Sequence, residues 1–552
     1  MSSQSSDDQP TEDELKNLKR VADDIPTAVW LMALVSLSER FTYYGISAPF
    51  QNYIQNPFDD PLRPGALNLG QATATRLNNV FSLFVYVTPV GAAIIADSWL
   101  GKYKTLLYST IIYLLGCIIL VATSFPSAIK ANAGLPGLIV AMIIIGSGLG
   151  GVKACVSPFM ADQYKNVKMR VKTTKRGDRV IVDRDLTIKA IYSLYYWCIN
   201  FGCLSGLATT YIERDVSFWA AYLFPTCVLL VALAGLIFGR HKFVDHPPTG
   251  SILPSTLRAF SYAAKAGFSM DAAKPEYQQQ QHNRLVPWDE KFINELKDGL
   301  MACRVFAMFP ILWLCHSQVI TNMISQAGQM NTYGVPNDIW MNLNPISVIV
   351  FLPLVQKLLY PFLRKCNVRF GSISRITTGL VLEAAALGYA AIVQRLIYDS
   401  PPCYSAPLKC PASPDGIKPN DISVLVQVPV YLIDGIAEIF FDVTSQEYAY
   451  THAPSSMKSL IQAILVLTSA LGAALGIALS PFYTNPQILW LYTGLAAVMF
   501  ATAVVFYICF RRYDRFGNRE KSIEEEKAAV VPVNEDVPGM EEQSAEKGHR
   551  IS

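Results

Sequence analysis

Two oppositely charged neighbours, Glu39 and Arg40, lie within an apolar run that extends from about residue 28 to residue 53. Insertion of one charge at the centre of a membrane helix costs about 2.5–3.5 kcal/mol, so such groups usually face a cavity and mark a transport pathway. A structural ion pair between neighbouring helices is the alternative interpretation. The pattern of the rest of the chain favours the pathway.

A second cation, Lys153, follows the glycine-rich stretch 146–151. Clustered glycines let membrane helices approach closely, which explains the glycines as a packing feature but leaves the lysine unexplained. A lysine in a membrane helix needs an anionic partner or an aqueous cavity. The anionic group of a substrate would be a suitable partner.

Three acids, Asp434, Glu438 and Asp442, are spaced by four residues, so an α-helix would carry them along one face. Neighbouring carboxylates in a membrane cannot all be ionised at low cost, so at least one is expected to exchange a proton. A hydrated crevice with simply solvated carboxylates is the alternative. Both interpretations require water within the membrane. With cations in the first half of the chain and acids in the second, a cavity between the halves would suit a zwitterion.

The composition indicates a polytopic membrane protein. Of the 552 residues, 51% are hydrophobic and only 16% are charged, whereas a soluble protein has about 25% charged residues. Apolar runs of about 20 residues are long enough to cross a bilayer. Twelve such spans are predicted, at 28–53, 77–97, 104–125, 136–161, 188–211, 217–239, 301–324, 339–363, 372–397, 423–450, 457–482 and 487–510.

The spacing of these spans predicts an all-α fold of two six-helix bundles, at 27–240 and 301–510. Residues 241–300 are predicted to form a cytoplasmic linker with one amphipathic segment. The polar residues 1–26 and the acidic residues 511–552 are predicted to be disordered cytoplasmic tails.

Lysine and arginine are concentrated in alternate loops, most strongly between residues 165 and 189, so the positive-inside rule places both termini in the cytoplasm. This topology explains the basic loop without nucleic acid. Cys403 and Cys410 lie in an outward loop, between spans 9 and 10. An oxidising exterior would permit a disulfide between them, and two free thiols are the alternative.

Several motifs occur in order along residues 28–510, and together they are specific. The chain resembles the proton-coupled oligopeptide transporter family of the major facilitator superfamily, in particular its fungal di- and tripeptide permeases. The resemblance is carried by residues 39–45 (Glu-Arg-Phe-Thr-Tyr-Tyr-Gly), 49–53, 96–105, 195–202, 324–330, 447–454 and 457–459.

The resemblance implies a role for each matching residue. Lys153 and Asn200 correspond to the groups that bind the carboxylate and backbone of a peptide, and Glu438 corresponds to the acid that binds its amino terminus. Glu39 and Arg40 correspond to the coupling motif. Further positions that correspond to pocket-lining residues of the family are Tyr43, Tyr44, Tyr86, Trp313, Gln318 and Asn344. For the aromatic residues among them, ordinary packing between helices is the alternative interpretation.

The chain also departs from the family pattern. Ser36 stands where the first-span motif usually has a glutamate, and serine cannot carry a proton. His316 and Ser317 stand where fungal relatives usually have Tyr-Asn, Asp442 replaces a small residue, and Glu383 is an additional acid with no evident partner. Either coupling has moved to His316 or Asp442, or the chain handles another solute, such as a modified peptide or a cationic metabolite.

The predicted function is import of small peptides with protons by alternating access. Protons are the coupling ion, no other cofactor or metal is expected, and the predicted coupling residues are Glu39, Arg40, His316, Glu438 and Asp442. The alternatives are an uncoupled facilitator or exporter of a specialised metabolite, and a transporter-like nutrient receptor. An enzyme is not expected, because no nucleophile arrangement or nucleotide-binding loop is evident. A plasma-membrane location follows from the resemblance alone, and the oligomeric state is left open.

Overall fold

The computed structural model describes residues 14, 18–58, 60, 63–165, 169–173, 179–248, 250–366, 368, 370–416, 418–452, 454 and 457–513. Most of the predicted tails, at 1–13, 15–17 and 514–552, therefore lies outside the described residues. Ten described helices are long and apolar enough to cross a membrane. They are Gly70–Leu100, Lys102–Thr123, Gly134–Asp162, Phe218–Gly239, Glu290–Ala327, Ile339–Leu363, Ser372–Asp399, Val424–Ala449, Leu460–Ala478 and Gln487–Phe510.

The other two predicted spans are also helical but more polar. Span 1 is the helix Thr27–Ser47, and span 5 consists of Arg184–Cys203 followed directly by Ser205–Asp215. Span 1 carries the Glu39-Arg40 motif, which lowers its mean hydropathy. The predicted all-α fold with twelve spans is confirmed.

Several spans contain breaks or π-turns, and short helices flank others. Span 8 is Leu343–Leu354, a π-turn at Val355–Leu359 and Tyr360–Lys365, and span 10 is Val428–Glu438, a π-turn at Ile439–Val443 and Thr444–Thr451. A further π-turn, Ala96–Leu100, ends span 2. The remaining helical segments of the spans and loops are Phe50–Gln55, Pro126–Lys130, Phe309–Ile320, Asn322–Ala327 and Lys458–Ala478.

Each bundle has apolar packing of its own. Buried side chains of spans 1–6, among them Tyr113 and Leu149, form one continuous cluster. The second bundle is filled by other clusters, the largest of which includes Phe309, Leu387 and Phe441. Because burial is satisfied within each half, the two halves can act as separate rigid units joined by a polar interface.

The linker is more structured than the single amphipathic segment that was predicted. It contains three helices, Ile252–Lys265, Pro275–His282 and Glu290–Cys303. Trp288 is buried in the apolar cluster of the second bundle and donates a hydrogen bond from Nε1 to the carbonyl oxygen of Ala273 at 2.9 Å. The linker therefore packs against the second bundle.

A small sheet lies at the end of the molecule that carries the basic loops. Strand β1 (Arg20–Val21) pairs in parallel with β3 (Arg179–Val182), which pairs antiparallel with β2 (Arg170–Thr173). Asp23 accepts a 2.7 Å hydrogen bond from Arg170. The predicted boundary of the disordered tail at residue 26 is therefore wrong, because backbone pairing and this ion pair hold the last part of the segment against the basic loop.

At the opposite end, strand β4 (Met330–Asn331) pairs in parallel with β5 (Asn420–Ser423). Cys403 and Cys410 form a disulfide in the loop between spans 9 and 10. Of the two alternatives that the sequence left open, the bonded one is therefore correct.

Hydrogen bonds between the bundles cluster at this opposite end, which we call the closed end (residues 50–76, 213–217, 322–342 and 476–486). Asn52 and Asn337 donate to each other at 3.0 and 2.9 Å. Other cross-bundle bonds there include Gln51 to Ser325 (3.1 Å), Ser325 to Gln55 (2.5 Å), Gln71 to Asn322 (3.0 Å), Thr75 to Asn322 (3.1 Å), Arg76 to Ser480 (2.8 Å) and Arg214 to the carbonyl oxygen of Gly334. The structure is thus one in which the bundles meet at this end.

Candidate functional site

Lys153 lies on span 4 between two tyrosine rings. Its Nζ is 4.9 Å from the ring centroid of Tyr43 on span 1 and 4.6 Å from that of Tyr86 on span 2. An added Cβ at Gly150 would come within 2.6 Å of the Thr88 side chain, so the glycine permits spans 2 and 4 to approach this closely. Aromatic faces stabilise a desolvated ammonium without neutralising it, so Lys153 can still attract an anion.

The Glu39-Arg40 pair is buried at the contact between spans 1 and 5. Nε of Arg40 lies 2.9 Å from Oε2 of Glu39, although the angle is not that of a hydrogen bond. Arg40 also forms a side-chain hydrogen bond with Tyr195. Glu39 is close enough to interact electrostatically with Lys153 as well, so one acid is shared by two cations.

Ser36, which replaces the usual acid of the first-span motif, is fully buried. Its hydroxyl oxygen has no hydrogen-bond partner among the described residues. A hydroxyl in this position adds no proton-exchanging group, so Glu39 is the one acid that the motif supplies here.

The three acids of span 10 differ in burial. Glu438 and Asp442 are half-buried, whereas Asp434 is fully buried. A π-turn at Ile439–Val443 follows Glu438 and changes the rotation per residue. Asp434 and Glu438 both lie on the regular helix Val428–Glu438 and both contact Asn344, so the π-turn shifts Asp442 relative to them and leaves Asp434 and Glu438 on one face.

Asp434 belongs to a buried polar cluster that joins spans 7, 8, 9 and 10. Oδ1 of Asp434 lies 3.0 Å from Nδ1 of His316, and its Oδ2 accepts a hydrogen bond from Asn344. A carboxylate oxygen of Glu383 lies within 4.8 Å of ligand atoms of both Asp434 and His316. The partner of Glu383, which the sequence did not suggest, is therefore this cluster.

Ligand atoms of His316, Glu383 and Asp434 lie within 4.8 Å of one another, a grouping that could hold a metal ion. No metal was expected from the sequence, since the three residues are 67 and 51 positions apart. Their contacts to one another already use the imidazole and carboxylate groups, and a proton shared among them accounts for the same geometry.

The tyrosines of the first bundle connect the two sets of charges. Tyr86, which contacts Lys153, also interacts electrostatically with Glu438 and Asp442 of the second bundle. Tyr196 on span 5 interacts with the same two acids. Asn344 forms a side-chain hydrogen bond with Glu438. The cation and the acids therefore face one polar space between the bundles, with aromatic rings between them.

Two further predicted site residues, Trp313 and Tyr44, pack against other aromatic or polar side chains of their own bundles. Trp313 donates a 3.1 Å hydrogen bond to Thr468 and packs edge-to-face against His316. Tyr44 packs edge-to-face against Tyr43 in the first bundle.

Asn200 makes a contact within its own helix, whereas Gln318 makes contacts both within span 7 and with the segment after span 11. The Asn200 amide donates to the carbonyl oxygen of Tyr196 at 2.9 Å, which is a contact within its own helix. Gln318 is fully buried, accepts from Asn322 at 2.7 Å and lies 3.4 Å from the hydroxyl of Tyr483. Gln318 therefore lies in a network that links spans 7 and 11, apart from Lys153 and Glu438.

Sequence reasoning did not find the pairing of Glu213 with Asp338 at the closed end, or the role of Asp434 inside the second bundle. Glu213 ends span 5 and Asp338 precedes span 8, and acids at such positions are ordinary in a membrane protein. The residues that form each of these contacts are far apart in the chain, so their separation in sequence could not predict that they meet.

With this geometry in place, the family can be assigned. The profile of the POT family matches residues 103–493. This chain belongs to the POT family. A probable peptide transporter, ptr2 of Schizosaccharomyces pombe, is 43% identical over 518 residues, which are 93% of this chain and 82% of that protein. The peptide transporter PTR2 of Saccharomyces cerevisiae is 39% identical over 543 residues, or 98% of this chain and 87% of that protein.

Solved structures of the family share the fold. The POT family transporter PepTSo has a TM-score of 0.70 at 19% identity, with 90% of this chain and 99% of that chain covered. An autoinhibited POT family peptide transporter has a TM-score of 0.68 at 20% identity, with coverages of 88% and 97%. At this identity the likeness establishes the architecture of an integral membrane POT protein and leaves the site to be argued from this chain.

Proposed function

We propose that this POT family protein imports small peptides, of two or three residues, together with protons by alternating access. The observation that carries the proposal is that Tyr86 contacts Lys153 of the first bundle and interacts electrostatically with Glu438 and Asp442 of the second. A zwitterion that spans this polar space would meet a cation at one end and acids at the other. Relatives 43% and 39% identical that are named as peptide transporters support the same solute class.

The two ends of a peptide have separate partners in this proposal. The carboxylate binds Lys153, whose ammonium lies against the rings of Tyr43 and Tyr86 and shares Glu39 with Arg40. The amino terminus binds Glu438, which Asn344 orients from span 8. A ligand held between two bundles in this way couples binding to their relative movement.

Coupling is proposed to act through Glu39 and the cations that share it. A proton on Glu39 removes its attraction for Arg40 and Lys153, which frees Lys153 for the peptide carboxylate. His316 and Asp442 are the further proton-exchanging groups near the same space. A coupling ion needs to discriminate between the two conformations by only a few kcal/mol to shift their populations.

The proposed orientation places the basic loops and both termini in the cytoplasm, and the closed end outside the cell. Strand β2, which carries Arg170 and Lys172, then lies on the inner side. The structure described here is in that case closed to the exterior. The plasma membrane is the proposed location, as expected for a nutrient importer.

Uptake of labelled dialanine into proteoliposomes tests the proposal. An inward proton gradient at matched membrane potential should drive accumulation above equilibrium, and a protonophore should abolish it. Equilibration of dialanine that does not depend on the proton gradient would indicate a facilitator. That result would agree with the presence of Ser36, which cannot carry a proton, in place of the usual acid. Absence of uptake by folded protein would reject peptides as the solute.

A further inference from the structure

Two acids, one from each bundle, meet at the closed end. Glu213 lies on the second helix of span 5. Asp338 directly precedes the short 3-10 helix Ile339–Asn342, with which span 8 begins. Their carboxyl groups interact with each other, and Oε2 of Glu213 and both carboxyl oxygens of Asp338 are buried without a donor among the described residues. Glu213 is 4% exposed and Asp338 is fully buried, so bulk water does not separate or screen the two carboxyl groups.

Asparagines frame this pair and also join the bundles. The Asn52 amide donates to Oε1 of Glu213 at 3.1 Å, and the reciprocal bonds between Asn52 and Asn337 lie alongside. Among the described side chains, no cation or amide donates a hydrogen bond to Asp338. The contact between the two acids is thus part of the surface along which the bundles close.

Within the described part of the chain, no lysine or arginine forms an ion pair with either acid. Two tyrosines, Tyr222 on span 6 and Tyr431 on span 10, interact electrostatically with it but are neutral at physiological pH. The remaining groups on adjoining segments are Tyr53, Arg63 paired with Asp60 (2.5 Å), and Arg214 paired with Asp215 (2.6 Å).

A hydrogen bond between two carboxyl groups requires a proton, because an ionised carboxylate can only accept. Two ionised carboxylates in a buried contact without a cation would repel each other strongly. Burial raises the pKa of Asp338. A proton shared by the two carboxyl groups would remove their repulsion and give their unpartnered oxygens a hydrogen bond.

We infer that Glu213 and Asp338 form a proton-binding site that exists only while the bundles are joined at the closed end. When this end opens, the acids separate, each becomes hydrated, and the proton returns to the solution on that side. The proton is therefore a gating proton rather than a transported one, and it adds nothing to the number of protons carried. The inference rests on the proposed transport function, because it requires the closed end to open.

The distance between spin labels at Ala131 and Thr484, exposed positions in loops of the two bundles at this end, measures opening directly. The exposed cysteines Cys227, Cys366 and Cys509 would be replaced, and the full chain studied in lipid nanodiscs. For a site that binds one proton, the ratio of closed to open molecules should fall by up to about tenfold for each unit by which the pH is raised.

Variants in which amides replace the two acids distinguish titration of this site from a general response of the protein to pH. The double variant Glu213→Gln with Asp338→Asn keeps a donor and an acceptor but cannot titrate, so its distance distribution should stay closed from pH 5.5 to 8. The single variant Asp338→Asn provides the same test if the double variant fails to fold. Asp215→Asn, which removes an exposed acid beside Glu213, should respond to pH as the unmodified protein does.

Two results would overturn the inference: distances in the unmodified protein that do not change with pH, or amide variants that titrate as it does. Uptake of dialanine, measured separately, distinguishes failure of the proposed function. If the closed end opens in response to pH but no peptide is taken up, the proton site is retained and the proposed solute is rejected. If peptide is taken up but opening does not depend on pH, the proposed solute is retained and the proton site is rejected.

Discussion

Nδ1 of His316 lies 3.0 Å from Oδ1 of Asp434, and both side chains are buried within the second bundle. Asn344 donates to the other oxygen of Asp434, and Glu383 completes the cluster. The acids of span 10 are consequently divided. Asp434 holds spans 7–10 together, while Glu438 and Asp442 remain half-buried toward the first bundle.

This division predicts a large effect of Asp434 on stability. Asp434→Ala leaves the His316 imidazole and the Asn344 amide buried without their partner, which should reduce the free energy of unfolding by about 3 kcal/mol. Asp434→Asn should cost less, because an amide retains an acceptor. Thermal unfolding in detergent measures the change, with Asp442→Asn as the half-buried control, and equal melting temperatures for Asp434→Ala and Asp442→Asn would contradict it.

Removing the charge of Lys153 should reduce dialanine uptake by at least about tenfold at subsaturating substrate. The reason is that a charge-assisted hydrogen bond in such a site contributes about 1.5–3 kcal/mol. Lys153→Gln tests this in proteoliposomes. Lys130→Gln is the matched control, since Lys130 also lies over an aromatic ring, that of Phe58, but on the surface. Similar uptake by both variants would remove Lys153 from the binding site.

Glu438 should distinguish peptides by their amino terminus. In Glu438→Gln, the affinity for dialanine should fall by about tenfold, whereas that for N-acetyl-dialanine, which has no ammonium group, should change little. Competition against labelled substrate measures both affinities. Glu447 is an exposed acid on the same span as Glu438, and it pairs with Arg375 of span 9. Glu447→Gln should change the affinity for neither ligand. An equal loss for both ligands would assign Glu438 a structural role.

Gly202 should be required for the contact between spans 1 and 5. An added Cβ would lie 2.5 Å from Cβ of Arg40, so Gly202→Ala forces the helices apart, at a cost of about 1–3 kcal/mol, and displaces the coupling residues. Melting temperature and uptake should both fall. Gly494→Ala, at a helical position with nothing within 4 Å of the added atom, should be neutral or stabilising. Unchanged uptake in Gly202→Ala would show that the approach of the two helices is not needed.

The sequence was sufficient for the all-α architecture and its twelve spans because the length and apolarity of a membrane helix are local properties. The same holds for the cation at Lys153 and the acids at Glu438 and Asp442, since a charge within an apolar run can be recognised without knowledge of its neighbours. The ordering of the linker against the second bundle was missed, because it depends on contacts such as that of Trp288 with the distant bundle core.

Tertiary structure alone decided which charges meet. The placement of Asp434 beside His316 and Glu383 depends on how spans 7, 9 and 10 pack, and the π-turn after Glu438 shifts Asp442 relative to the two acids before it. The pairing of Glu213 with Asp338 joins two bundles that fold on separate cores. Spacing along a chain reports the periodicity of one helix, whereas contacts between helices are set by packing, and here the chemistry lies in those contacts.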